Sequence, residues 1–345
     1  MSRRSRRPGA ILALIMVAST ALAACSTSAA SPSTASTKPT DPPATASAPA
    51  PSDSPVSPSP VAAFPVTLTD DEGTTVELAA EPQRIVSLTP ATTEILFKLG
   101  AGPRVVATTD FDDYPPEAVA LPDVASYTAV DVEKIVGLET DLVIAGGNFF
   151  NDPAAIAQLR DLGVPVIVTY APDIATVLTD IELIGAAVGL ADEAADLTAA
   201  MRADFDQVAA ATAGLPRPRV FYELDATTDI YTAADDSFIA EMIVLAGGEP
   251  ITTGSPTDFA ISIEKLIAAD PEVIILGDAL YGVTAEAVAE RPGWKVMTAV
   301  KTGEIRGVND LVVTRPGPRL VEGLRELALA IHPEAVVPSP APVAP

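Results

Sequence analysis

The chain has one cysteine, one histidine and one tryptophan among 345 residues. A lone thiol rules out a disulfide framework or a cysteine metal cluster. The single histidine, His332, sits beside a Pro-rich end. That speaks against histidine acid/base chemistry and against a histidine-rich zinc or manganese centre. Cationic side chains are scarce too: 21 Lys and Arg stand against 46 Asp and Glu, a formal charge of −25. Such a surface disfavours nucleic acid and anionic lipid as partners. There is no Gly-x-Ser-x-Gly elbow, no phosphate loop ending in Gly-Lys-Ser/Thr, and no His-Glu-x-x-His. Carboxylate pairs occur at Asp112-Asp113 and Asp235-Asp236, where a chain this acidic needs only solvated loop charge. No catalytic set, metal site or resident cofactor is expected.

The amino terminus reads as a targeting segment. Arg3, Arg4, Arg6 and Arg7 precede an apolar run from Ile11 to Ala24, too short for an ordinary membrane span. Leu22-Ala23-Ala24-Cys25 is similar to a bacterial lipobox, so residues 1–24 are expected to be a signal peptide and Cys25 the lipidated residue. Loss of those four arginines takes the charge from −25 to −29. Anchoring then falls to lipid, on the extracytoplasmic face of the cell membrane, and not to basic side chains. Residues 25–61 form a Pro/Ser/Thr-rich linker. Nine prolines between Ser26 and Pro60 leave it no core to bury. At roughly 3.1 Å per residue it reaches on the order of 100 Å.

The body of the chain contains a repeat. Asp131-Val-Glu-Lys-Ile-Val-Gly-Leu-Glu-Thr-Asp-Leu-Val-Ile-Ala-Gly146 returns as Ser262-Ile-Glu-Lys-Leu-Ile-Ala-Ala-Asp-Pro-Glu-Val-Ile-Ile-Leu-Gly277, offset by 131 positions throughout. Each copy opens with an N-cap residue and places a glutamate, Glu133 or Glu264, in the first helical turn, where the dipole favours it. Each then enters a strand, Leu142–Ala145 or Val273–Leu276, too apolar to have a wet face. Helix followed by buried strand is the unit of a parallel α/β sheet. Two copies imply two similar lobes.

The expected organisation is an N-terminal α/β lobe at 62–172, connecting helices at 173–215, a C-terminal α/β lobe at 216–335 and a tail at 336–345. Ile174, Val177, Ile181, Ile184 and Val188 mark the first connecting helix. Leu197, Met201, Phe205 and Val208 mark a second, about Ala191–Ala213, long enough to act as a stiff spine. Aromatic residues make up only 5% of the chain. Phe111, Tyr114, Tyr127, Phe149, Phe150, Tyr231 and Phe259 fall in loops after strands, where open α/β folds bind ligands. Together they suggest an inter-lobe cleft for a bulky, partly flat ligand, to which Arg315 adds a donor. Trp294 is assigned to the core.

Four stretches together resemble one family: Arg84-Ile-Val-Ser-Leu-Thr-Pro-Ala-Thr-Thr-Glu-Ile-Leu-Phe-Lys-Leu-Gly100, Asp113-Tyr-Pro115, and the Glu133 and Glu264 segments. They look like the iron-chelate/cobalamin class of substrate-binding proteins of ABC importers, over about residues 64–335. The Phe111–Pro115 loop is most similar to the cobalamin-binding type. The resemblance implies two Rossmann-like lobes joined by a long rigid helix, the class III architecture, with small domain motion and no catalysis. It implies a monomer that captures cobalamin or a related corrinoid and hands it to a permease dimer. Any cobalt or iron would arrive with the ligand. Phe111 and Tyr127 fall at corrin-contacting positions and Phe259 near one, while Glu133 and Glu264 match permease-docking glutamates. A tryptophan typical of the family after the first repeat strand is replaced by Gly146-Gly147. A ferric-siderophore or haem carrier is the alternative within the class. A secreted α/β hydrolase, or a ligand sensor without transport, would be the readings outside it.

Overall fold

The structure, a computed structural model, describes residues 64–339 apart from Phe149. The expected signal peptide, Cys25 and the linker lie outside the described residues. Two parallel sheets organise the rest. The first has six strands in the order Ala129–Val130, Asp123–Ser126, Val105–Thr109, Ile85–Ser87, Leu142–Gly146 and Val166–Thr169. All its pairs are parallel except the one formed by Ala129–Val130 with Asp123–Ser126. The second has four strands, all parallel, in the order Glu249–Pro250, Arg219–Glu223, Val273–Leu276 and Ile305–Gly307. Both repeat strands are fully buried, as their unbroken apolar runs require. Two α/β sheets bridged by a long helix match the architecture the resemblance implies.

Local chemistry sets the elements. Thr89 caps the helix Pro90–Leu99 by accepting the Thr92 amide, with Pro90 at the first helical position and Gly100 ending it in the left-handed region. In the repeat, Asp131 caps Val132–Gly137 through the Lys134 amide, and Ser262 caps Ile263–Ala269 through the Lys265 amide. Glu139 and Asp270, matched positions just beyond these helices, both adopt positive φ. The match extends to side chains. Arg84 Nε donates to the Leu138 carbonyl, and Arg219 Nε to those of Ala269 and Asp270, so one arginine per lobe closes the end of its repeat helix. Lys134 Nζ folds back onto the Asp123 carbonyl and Lys265 Nζ onto that of Thr253.

The connecting helices run Ile174–Ala187 and Ala191–Thr212. The second is 22 residues long, roughly 33 Å at 1.5 Å per residue. Leu197, Met201, Phe205 and Val208 face the core as their spacing requires. Asp204 ties this helix to the last one, Leu320–Ile331, through a buried pair with Arg325 at 2.9 Å. Trp294 is buried edge-on to Phe221, beneath the Arg291 guanidinium. His332 is part of the folded body. Though it borders the Pro-rich end, it is buried, with Nε2 3.3 Å from the Gly247 carbonyl. Val337 also packs on the core, and the Pro338 carbonyl accepts from Arg325 Nε. The apolar side of the final helix needs that cover.

One ionic cluster crosses between the lobes. Glu94, buried in the first helix, accepts from Arg319 Nε at 2.8 Å and from Arg315 Nη1 at 3.2 Å. Arg315 also grips Asp113 through both Nη atoms. Breaking a buried pair strands a charge and costs about 3–5 kcal/mol. Glu94→Ala is therefore expected to lower unfolding stability by about that much in urea titration. A loss below about 1 kcal/mol, the value of an exposed pair, would show that the cluster does not hold the lobes.

Candidate ligand-binding cleft

A cavity of about 720 Å³ lies where loops from the two sheets meet. The first sheet supplies the carboxyl ends of its parallel strands: Thr89–Thr92, Phe111 and Asp113, Tyr127, Gly146–Asn148 with Phe150, and Thr169–Ala171. Strand Ile85–Ser87 has neighbours on both sides that follow it in sequence. This is the switch point where such folds open a crevice. The second lobe contributes Phe238, Tyr281, Asp310, Leu311 and Thr314–Pro316.

The cavity wall is aromatic. Phe111 lies 5.0 Å from Tyr127 and 6.0 Å from Phe150, ring centre to ring centre. Tyr127 and Tyr281 are 82% and 74% exposed, so broad faces stand ready at the mouth. The glycines beneath this wall explain the missing tryptophan. A Cβ on Gly146 would stand 2.7 Å from Thr89 Cγ2 and 3.0 Å from Phe150 Cδ1; one on Gly147 would meet Val168 and Tyr170. Phe150 and Tyr170 fill the space a side chain there would take.

Of the residues named from sequence, Phe111, Tyr127, Phe150 and Arg315 line this cavity. Phe149 lies outside the described residues. Tyr114, Tyr231 and Phe259 were expected in the cleft and do not line it. Tyr114 lies under the Arg319 guanidinium at 4.3 Å and borders a separate cavity shared with Glu94 and Phe97. Its ring is thus used on the far side of the ionic cluster. Tyr231 pairs with Ala260 in a two-stranded ribbon, and the Phe259 carbonyl accepts from the Thr232 amide. The ribbon is an excursion between a strand and the second repeat copy, away from the cavity. Asp113, Tyr170, Asp180, Phe238, Tyr281 and Asp310 line the cavity and were not anticipated. Tyr170 and Tyr281 each follow a buried strand, a signal present in the sequence.

Charge in the cavity is lopsided. Asp113, Asp180 and Asp310 line it, and Arg315 is the one cation among its described lining residues. Arg315 is already spent on Asp113 and Glu94. Burial would lower its pKa, but those two carboxylates outweigh burial and hold it above the ordinary value. Asp310 is pushed upward by burial, partly offset by the Tyr222 hydroxyl that donates to it at 3.0 Å. Outside the cavity, Glu133 and Glu264 are both exposed, and their side chains have no hydrogen bond or ion pair among the described residues. The described residues contain no group of three or more His, Cys, Asp or Glu placed to hold a metal.

The chain belongs to the periplasmic binding protein family, which it matches over residues 85–310. It is 36% identical over 276 residues to the uncharacterised ABC transporter substrate-binding lipoprotein YvrC of Bacillus subtilis, covering 79% of this chain and 87% of that protein. It is 33% identical over 304 residues to a cobalamin-binding protein of Halobacterium salinarum, covering 84% and 80% respectively. The periplasmic haem-binding protein RhuT of Roseiflexus sp. RS-1 superposes with a TM-score of 0.64 at 28% identity, over 73% of this chain and 98% of that one.

The tight seat of Gly146 is testable without ligand. Gly146→Ala should displace Phe150 and cost about 1–3 kcal/mol, the usual penalty of overpacking. An unchanged melting temperature would show that Phe150 is not held against the strand end.

Proposed function

We propose that the protein is the lipid-anchored, extracytoplasmic solute receptor of an ABC importer and that its solute is a corrinoid. The observation that carries the ligand reading is an aromatic wall combined with an acidic lining whose one cation is engaged. A corrin presents a broad face to aromatic rings and a rim of neutral amides. Haem brings two ionised propionates, and an anionic ferric chelate brings comparable charge. Either would bring negative groups to a lining whose one guanidinium is already committed to Asp113 and Glu94, and an uncompensated charge in a desolvated site costs several kcal/mol. The one histidine, a common iron ligand, is buried against Gly247 and not in the cavity. The cobalamin-binding relative points the same way. This reading makes the protein a carrier without resident cofactor, and any metal enters inside the ligand.

Lipid attachment at Cys25 fits the lipobox-like segment and the lipoprotein name of the Bacillus relative. Delivery, as opposed to sensing, rests on Glu133 and Glu264. The repeat duplicates a lysine that is used in each lobe and a glutamate that is exposed in each. Two matched anionic points on a monomer suit basic pockets on a two-fold permease. The alternative is that both only complement helix dipoles, worth about 0.3–1 kcal/mol each.

Two experiments follow. Phe111→Ala with Tyr127→Ala should weaken cyanocobalamin binding about tenfold or more, as loss of aromatic anchors does, with an unchanged circular dichroism spectrum. Equal affinity in parent and variant would remove these rings from the binding site. Glu133→Lys with Glu264→Lys should leave that affinity intact and impair uptake. Parental uptake by the double reversal would leave the glutamates as dipole partners only.

A further inference from the structure

The ionic cluster between the lobes borders two cavities, and its four charged groups divide between them. Arg315 and Asp113 line the aromatic cavity. Glu94 and Arg319 line the second one, with Tyr114. The bonds follow the same division. Arg319 meets Glu94 through Nε at 2.8 Å and through Nη2 as well, and its guanidinium covers the Tyr114 ring. Arg315 meets Asp113 through both Nη atoms, Nη2 donating at 2.9 Å, and reaches Glu94 through a single bond of 3.2 Å. Glu94 thus has a guanidinium of its own, and the charge of Arg315 is balanced chiefly by Asp113. Burial separates the two carboxylates further: the Glu94 side chain is 1% exposed, that of Asp113 43%. Glu94 is the buried structural member, and Asp113 reaches solvent. The residues beside Asp113 hold it in place. Asp112 Oδ2 accepts from the Thr109 amide and hydroxyl, and Tyr114 lies under Arg319. Of the three aspartates that line the aromatic cavity, only Asp113 forms an ion pair among the described residues.

A guanidinium that offers two parallel N–H bonds is a seat for a carboxylate. We propose that Arg315 forms a carboxylate subsite of the aromatic cavity and that Asp113 is its built-in occupant, which makes Asp113 the residue that sets the charge of the solute. A carboxylate on a solute gains little there. It must displace a carboxylate already held in the same fork, and it leaves Asp113 unpaired beside it. A neutral amide rim meets no such cost, so the filled seat discriminates by what it refuses. With the seat vacated, one uncompensated guanidinium would stand among the rings of Phe111, Tyr127 and Phe150. That combination suits a flat macrocycle that carries a carboxylate.

A filter against anionic solutes rests on the corrinoid reading, and the experiment keeps the two apart. Haemin and its dimethyl ester share one ring and differ in propionate charge. The ratio of their affinities therefore reads the subsite, while any general opening of the loop acts on both alike. The ratio is measured by fluorescence quenching, alongside cyanocobalamin affinity, for the parent, for Asp113→Ala, and for Asp113→Ala combined with Arg315→Ala. Circular dichroism confirms each fold. In the parent the ester should bind at least as well as haemin. In Asp113→Ala the ratio should move toward haemin about tenfold or more, the usual worth of a hydrogen bond to a charged group. Adding Arg315→Ala should return it to the parental value. Asp113→Asn, equal in size, should move the ratio in the same direction and carries the test if the alanine variant does not fold. A parent that already prefers haemin to the ester, an unchanged ratio once Asp113 is replaced, or a rise that survives loss of Arg315 would overturn the filled subsite. Cyanocobalamin affinity is read separately, and its absence in the parent would overturn the corrinoid reading.

Discussion

The buried carboxylate of Glu94 is the point through which the two lobes are held in register. It comes from the first helix of the first lobe and meets Arg315 and Arg319, which lie 221 and 225 residues further along the chain. A carboxylate in that position is tolerable only because two guanidiniums satisfy it, since an unpaired charge would not stay buried. The cluster does two things at once. It joins the two lobes directly, in addition to the connecting helices. It also occupies Arg315, the cation best placed to greet a ligand. The constraint that keeps the cleft at a fixed width therefore also decides its chemistry: the cavity is left acidic and aromatic, suited to a wide neutral face.

What could be read from the chain was what local physics decides. Caps, left-handed stops, apolar periodicity and the 131-residue repeat all act within a few neighbouring residues, and Thr89, Gly100, Asp131 and Ser262 behave as their types demand. Two-residue strands such as Ala129–Val130 and Glu249–Pro250 were not legible, because they exist only where a neighbouring strand offers a partner. The cavity was half legible. Phe111, Tyr127 and Phe150 follow strands and line it, yet Tyr231 and Phe259, expected in the same kind of loop, belong to or adjoin a short antiparallel ribbon and do not. Sequence shows that an aromatic residue lies in a loop but not which way the loop turns. Asp180 was hidden more deeply. Within a helical stripe it looks like an ordinary break in the apolar face, and only the folded chain shows that it lines the cavity.

The duplication separates structural from functional parts. Where both lobes face the same folding problem, they use the same answer: Arg84 and Arg219 close a repeat helix, and Lys134 and Lys265 fold back onto an upstream carbonyl. Around the cavity the lobes have diverged. The first offers five loops and most of the rings, the second Phe238, Tyr281 and the Asp310–Pro316 segment. An asymmetric ligand needs unlike walls, so divergence there is what binding requires. Glu133 and Glu264 fit neither pattern. They are duplicated like the structural residues, yet their exposed side chains hold nothing together among the described residues. A feature repeated in both lobes but idle within each is suited to a partner that itself presents the same surface twice. A two-fold permease is such a partner, whereas a single asymmetric ligand is not.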